Sequence, residues 1–420
     1  MTMKSTRRAL TRLVASSAAL LSAPAIVRAQ ARTLSLWHVF NLETEAYMRE
    51  GVRSWNAANP NLRIEERIIP FAQYRTELVR AIATGDVPDL CVIDNPDTPS
   101  FSAQNQLTDL TARVAASDRI KGDKYLPGPW STTQWRGKTY AVPRDSNTIA
   151  IYLNHEMFRA AGLDPAKPPT TWAEVVETAK KLTSADGRVV GIMFSARAAE
   201  DSTFQWLPWL WQAGADIDRL DTPEAAAALQ VWVDLVSSGA ASRDVLTVSQ
   251  SEGTNRLISG NAAMAISGPW DTPRVSQQAR FEWSVVPLPV RGVGQDIRAS
   301  ALGGWNWAIP QGSKNPDGAW RVIEHMSQAE IMTNSWVSGR LAPRIDVTVE
   351  NPQYPQAFRA YSEQMKVARA RGPHPRWPDL SRPVQTAIQQ ALSGQATAEA
   401  ALRTAAGVIR PILAQVPLRG

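Results

Sequence analysis

The sequence predicts an α/β protein of at least two domains, each a sheet covered by helices. Three observations carry this. Strand-like and helix-like patterns alternate from Thr33 onward, which implies a largely parallel sheet with covering helices. At 420 residues and 44% hydrophobic composition, the chain is long enough for two or more domains with a large core. Finally, Tyr140-Ala-Val-Pro143 meets the polar Arg144-Asp-Ser-Asn147 and then the apolar Thr148 to Leu153, so strand chemistry changes sides at Pro143 and marks a domain boundary there.

The elements follow in order. Residues 1–29 read as a secretory leader: Lys4, Arg7, Arg8 and Arg12 precede an apolar, small-residue stretch from Leu13 to Val27, and Val27-Arg28-Ala29 suits cleavage. The stretch is shorter than the roughly 20 residues a membrane-spanning helix needs. Arg7-Arg8 loosely matches a twin-arginine signal, which leaves the Sec and Tat routes both open. The leader holds five of the 45 basic residues and none of the 39 acidic ones, so removing it leaves 40 against 39, a net charge of +1. With no basic block elsewhere, nucleic-acid binding is disfavoured. The single cysteine, Cys91, excludes an internal disulfide and lies far from the cleavage site, and Leu90-Cys-Val-Ile93 reads as a buried strand.

After the leader, Thr33 to Trp37 forms a strand, and Asn41 is placed to cap a helix that buries Met48, Val52 and Trp55. A second strand holds Leu62, Ile64 and Ile68. A second helix buries Tyr74, Leu78 and Ala81 and stops at Gly85, and Leu90 to Ile93 makes a third strand. Ligands of such sheets gather beyond the carboxyl ends of strands, here Trp37-His38 and Asp94-Asn95-Pro96-Asp97. Thr171-Trp-Ala-Glu174 is a capping-box pattern opening a helix that buries Trp172, Val175, Ala179 and Leu182. Thr222-Pro223-Glu224 opens another, which stops at Gly239.

The stretch from Leu257 to Trp307 organises the function. Ala262 to Ser267 reads as a buried strand, and Gly268-Pro269 as a turn that lifts Trp270 off its end. Ala301-Leu-Gly-Gly-Trp-Asn-Trp-Ala-Ile-Pro310 repeats the idea in reverse, with Gly303 and Gly304 clearing side-chain bulk beside Trp305. Two aromatic plates beside bare backbone suit a flat, polar-edged ligand such as a sugar, whose CH face stacks on indole while carboxylates, amides and Arg bind its hydroxyls. Of the 16 tryptophans, Trp55, Trp172, Trp232 and Trp320 fall on apolar helical stripes and read as packing. Trp209 joins the candidate plates. The polar rim candidates are His38, Glu43, Asp94, Asp97, Asp145, Asn147 and Arg340, the acidic ones also being natural helix caps.

With these segments in view, the chain resembles the extracellular solute-binding proteins of ABC importers, the family of maltose-, trehalose- and glycerol-phosphate-binding proteins. The markers run through most of the chain: Thr84-Gly-Asp-Val-Pro-Asp89, Tyr152-Leu-Asn154, Ala161-Gly-Leu-Asp164 and Pro169-Thr-Thr-Trp172. They continue through Ser259-Gly260, Gly268-Pro-Trp270, Gly312-Ser-Lys-Asn-Pro316 with Ala319-Trp320, and Ser338-Gly-Arg340 before Pro343. The resemblance implies a two-lobe, Venus-flytrap (type II) periplasmic binding protein with crossover hinge strands that captures one solute and passes it to an inner-membrane ABC permease. It implies a first lobe of residues 30–142 plus 271–329 and a second of 143–270 plus 330–420. By position, Trp270 matches the family's sugar-stacking tryptophan, Asn147 falls near its acidic ligand after the first crossover, and either Asp94 or Asp97 matches a hydroxyl-binding carboxylate.

The expected protein is a periplasmic monomer without cofactor, metal or catalytic residues. The four histidines, His38, His155, His325 and His374, lack a paired metal spacing, and neither a Gly-x-Ser-x-Gly elbow nor a phosphate loop occurs. A secreted glycoside hydrolase combines the same residue types, with carboxylates roughly 5 to 10 Å apart, and is the alternative, together with a non-transport lectin.

Overall fold

The computed structural model describes residues 32–40, 45–349 and 352–418. The leader, Asn41 and the candidate Glu43 lie outside the described residues. The chain opens with β1 (Arg32–His38), α1 (Ala46–Ala58), β2 (Leu62–Ile68), α2 (Phe71–Thr84) and β3 (Leu90–Asp94), followed after a run of short helices by β4 (Ala141–Pro143). The helix stripes behave as the spacing predicts: Met48, Val52 and Trp55 of α1 and Tyr74, Leu78 and Ala81 of α2 are buried. Gly85 closes α2 in the left-handed region, where a side chain would be strained.

The chain then crosses to a second set of elements: β5 (Ala150–Asn154), α3 (Trp172–Leu182), β6 (Val190–Met193), α4 (Glu200–Gln212), α5 (Pro223–Ser237), α6 (Gln250–Ile258), β7 (Ala262–Ser267) and β8 (Trp283–Val286). Thr171 and Glu174 form the expected capping box of α3, and Ser249 and Glu252 form another on α6. Each such cap stabilises its helix by about 1 kcal/mol. From Asp201 to Gln212, α4 is buried on all sides, which makes it the central helix of its lobe. The last elements are β9 (Ser300–Leu302), β10 (Trp305–Ala308), α7 (Pro316–Met326), β11 (Ala368–Ala370), α8 (Trp377–Ser393) and α9 (Ala398–Gln415).

Two principal sheets result. The first has the order β2-β1-β3-β10-β4, with β1 parallel to β2 and β3, and β10 antiparallel to β3 and β4. The second has the order β8-β5-β7-β6, in which only the β6–β7 pair is parallel. The expectation of largely parallel sheets is therefore corrected to mixed sheets, because strands entering from a crossover run against those they join. The segment boundaries shift as well. β8 pairs antiparallel with β5, with Trp283 opposite Asn154, and Val275 sits in the second core, so the return to the first sheet falls at Gly303–Gly304 rather than after Trp270. Ile331 and Met332 conversely belong to the first core.

Three chain segments cross between the sheets side by side. Ser146 and Leu341 exchange backbone hydrogen bonds of 2.8 and 2.9 Å, and Asn147 and Gly303 exchange bonds of 3.0 and 2.9 Å. Beneath them lies Arg144, which is fully buried. Its guanidinium donates to Glu45 at 3.0 Å and to Asp145, and stacks over Phe40 at 3.6 Å and Tyr47 at 4.7 Å. Glu45, immediately before α1, is drawn to this guanidinium rather than to the helix end, where the Tyr47 N–H donates instead to Ser338 Oγ at 3.0 Å. A buried charge persists only where partners replace its water, and two carboxylates with two aromatic faces do so here.

Candidate functional site

A cleft lies between the sheets next to these crossings, with a cavity of about 540 Å³ that takes its walls from both sides. The antiparallel register sets Trp305 directly opposite Asp94, so the indole and the carboxylate share one face at the carboxyl end of β3. Trp305 is held upright by the edges of Phe40, Phe71 and Tyr74, with ring centroids 5.7 to 5.9 Å away at nearly perpendicular angles. It faces the cavity just after Gly304, whose φ of +143° is open to glycine but strained for other residues, and a Cβ there would lie 2.5 Å from the Asp145 carbonyl.

From the second sheet comes Trp270, in the turn after β7. A Cβ on Gly268 would lie 2.0 Å from the Trp270 ring, so the indole folds back over bare backbone. Trp270 lies beside Phe204, and the Arg340 guanidinium sits 5.7 Å from its centroid and 5.4 Å from that of Phe40. Arg340 thus wedges between the two lobes, with its Nε 3.4 Å from Glu45. Asn147 and Gly303 complete the wall at the crossing.

Arg371 was not read as a site residue from the sequence. It is buried just after β11 and joins the two lobes: it donates to Asp94 at 2.9 and 3.3 Å, to Asn95 at 3.0 Å, and to Glu200 at the start of α4 at 2.8 Å. Glu200 also accepts from Trp377 and Ser381, at 2.9 and 2.6 Å. Burial pushes the Asp94 carboxyl up to about 6; Arg371 opposes this, while the neighbouring Asp97 and Glu200 charges add to it. Burial likewise raises Asp97 above the usual carboxylate range, although Arg75 lies 3.1 Å from it.

Asp94, Asn147, Trp270, Gly304, Trp305 and Arg340 are thus brought together on one cavity. Asp97 lines an adjoining compartment of about 470 Å³, reached past Asp94 and Trp305 and walled by Phe71, Arg75, Trp377 and Arg382. Three candidates are corrected. Trp209 is 1% exposed in the core of the second lobe, because α4 is enclosed on every side. His38 is fully buried and turned toward β2, where its Nε2 lies 3.1 Å from Glu66 and its Nδ1 accepts the Phe40 N–H. Asp145 is consumed by Arg144 and the Trp305 N–H and anchors the crossing rather than a ligand.

Besides Arg371 and Glu200, the sequence reading missed Arg197, Asp201 and Phe204 around the start of α4, residues 249–252 at the start of α6, and Phe71. The Glu200-Asp201 pair ahead of the apolar run of α4 was the one local signal. Arg344 and Arg376 lie outside the cavity lining and pair with Asp346 and Asp379. Among the described residues no group of three or more His, Cys, Asp or Glu could hold a metal ion, and no helix is long and apolar enough to cross a membrane.

The chain is 22% identical over 388 residues to a putative binding protein of Brucella abortus, a match covering 89% of this chain and 91% of that one. A lactose-binding protein of Rhizobium radiobacter is 24% identical over 294 residues, 65% of each chain. Among solved structures, an ABC transporter solute-binding protein of Thermotoga lettingae bound with α-D-tagatose superimposes with a TM-score of 0.82 at 26% identity, over 91% of this chain and all of that one. These similarities join the two lobes, the three crossings and the cleft between them. Residues 41–333 match the family of bacterial extracellular solute-binding proteins, and the chain belongs to that family.

Proposed function

We propose that the protein is the periplasmic binding component of an ABC importer that captures a carbohydrate or glycoside between its lobes and delivers it to an inner-membrane permease. The observation that carries this reading is the meeting of Trp305 from one lobe and Trp270 from the other on a single cavity, with Asp94 among the polar groups beside them. Stacking covers the CH face of a pyranose, and the carboxylate, the Asn147 amide and Arg340 engage its hydroxyls. The lactose-binding relative and the tagatose-bound structure support the same ligand class. Because each lobe supplies part of the site, the ligand binds the closed arrangement better than an open one, and that difference drives closure. The working form is a monomer that begins after cleavage near Ala29, and it carries out capture without chemistry.

The test is intrinsic tryptophan fluorescence and calorimetric titration of the purified protein against sugars and polyols, with product analysis of each mixture. Saturable binding with the sugar recovered intact is the expected result. Hydrolysis products would turn the reading to a glycosidase, and silence toward the whole panel from folded protein would remove the carbohydrate.

A further inference from the structure

We infer that the cleft favours uncharged sugars over anionic glycosides, with Arg371 as the positioning residue that presents Asp94 and Glu200 to ligand hydroxyls. The inference rests on the sugar-capture reading and specifies its charge class.

An arginine in a binding cleft ordinarily invites a phosphate or carboxylate. The arginines here are balanced by carboxylates, although among the described residues the Nε–H groups of Arg197, Arg340 and Arg371 have no acceptor. All four terminal N–H bonds of Arg371 are directed at protein acceptors: two at Asp94, one at Asn95 and one at Glu200. Arg197 donates to Asp201 at 2.9 Å. Arg340 belongs to a group in which Glu45 and Asp145 balance Arg340 and Arg144. Two carboxylates sharing the single Arg371 charge leave a surplus negative charge on the wall. Glu252, held at the cleft by the Ser249 N–H at 2.6 Å, adds a second. An anionic substituent would therefore meet excess like charge in a partly desolvated space.

A hydroxyl meets the opposite situation. Each ionised carboxylate has about four acceptor positions; Arg371 occupies two of those on Asp94, while Arg371, Trp377 and Ser381 together occupy three of those on Glu200. The guanidinium fixes both groups in direction and leaves lone pairs for O–H donors. It also opposes the burial and the like charge that draw protons onto Asp94. Tryptophan plates next to fixed acceptors form a surface for a neutral, polyhydroxylated ring.

Matched probes test this on the purified protein: glucose, maltose, lactose, trehalose, tagatose and mannitol against glucose 6-phosphate, glucuronate, trehalose 6-phosphate and sn-glycerol 3-phosphate. At least one neutral probe should bind saturably, with its charged counterparts at least about 100-fold weaker at pH 7.5. A charged probe that binds as tightly as the neutral ones overturns the charge selection and leaves sugar capture standing; binding by no probe of either kind overturns both. For the positioning role, Arg371→Gln should move the pH midpoint of neutral-sugar binding upward, and Arg371→Lys should bring it part of the way back. A folded Arg371→Gln protein with an unchanged midpoint overturns that role. If the variant does not fold, the wild-type probe series still decides the charge class.

Discussion

Replacing Arg144 by Met tests whether the crossing segments rest on a paired buried charge. The substitution keeps an unbranched side chain of similar reach but leaves Glu45 and Asp145, 3% and 2% exposed, without their shared guanidinium. Arg340, with its Nε 3.4 Å from Glu45, compensates only one of them. Removing one partner of a buried ion pair costs about 3–5 kcal/mol, and lost stacking on Phe40 and Tyr47 adds to it. With an unfolding entropy of about 2 cal/mol/K per residue over roughly 390 residues, 4 kcal/mol lowers Tm by about 5 °C. Equilibrium urea unfolding followed by fluorescence should show a lower midpoint at unchanged slope. Adding Glu45→Gln should recover part of the loss by removing one stranded charge. A single-variant loss below about 1 kcal/mol, or a double variant no better than the single, refutes the reasoning.

The other expectations concern the cleft. Trp270→Ala should weaken sugar binding by about 1–3 kcal/mol with modest effect on folding, as calorimetry beside a thermal melt would show, and unchanged affinity would remove the stacking plate. Gly268→Ala puts a Cβ against the Trp270 ring, 2.0 Å away unless the ring moves, so affinity should fall while secondary structure persists; normal affinity would mean that the fold-back of the indole is dispensable. Asp94, raised to about 6 by burial and faced by Arg371, Asp97 and Glu200, is ionised at pH 7.5 and gains a proton as the pH falls through 6. A ligand that needs the carboxylate should then bind about tenfold more weakly at pH 5, and Asp94→Asn should flatten the profile; a flat wild-type profile would discard the role of Asp94. Trp305→Ala should cost about 3–5 kcal/mol of stability, because the ring is only 7% exposed, whereas Trp305→Phe should keep most of it.

Local patterns carried much of the fold and the two plates. The α1, α2 and α3 stripes, the Thr171 capping box and the strand ahead of Trp270 follow from spacing within a dozen residues. Glycines before Trp270 and Trp305 flagged both indoles, because a cleared backbone leaves its trace in sequence. What stayed hidden depends on distant partners. Arg371 is 277 positions from Asp94 and 171 from Glu200, and its neighbourhood has no periodicity to mark it. His38 and Asp145 carry side chains that suit a ligand, yet Glu66 in one case and Arg144 in the other had already claimed them. Trp209 misled because an indole enclosed on a buried helix and one at a cleft have the same local surroundings in sequence. The place of β8 was also illegible, since an edge strand joins whichever sheet its flanking segments reach.

In the proposed capture, the three crossing segments serve as both pivot and recognition surface. Asn147 and Gly303 are hydrogen-bonded to each other across two of the segments, and Arg340 stands one residue from the Ser146–Leu341 bridge on the third. All three residues also line the cavity. A solute captured there would touch the axis as well as the jaws, and bending at the axis would rearrange part of its own binding surface. Occupancy and angle would then be coupled at the fulcrum, over a single residue's length, with no lever needed to carry the signal.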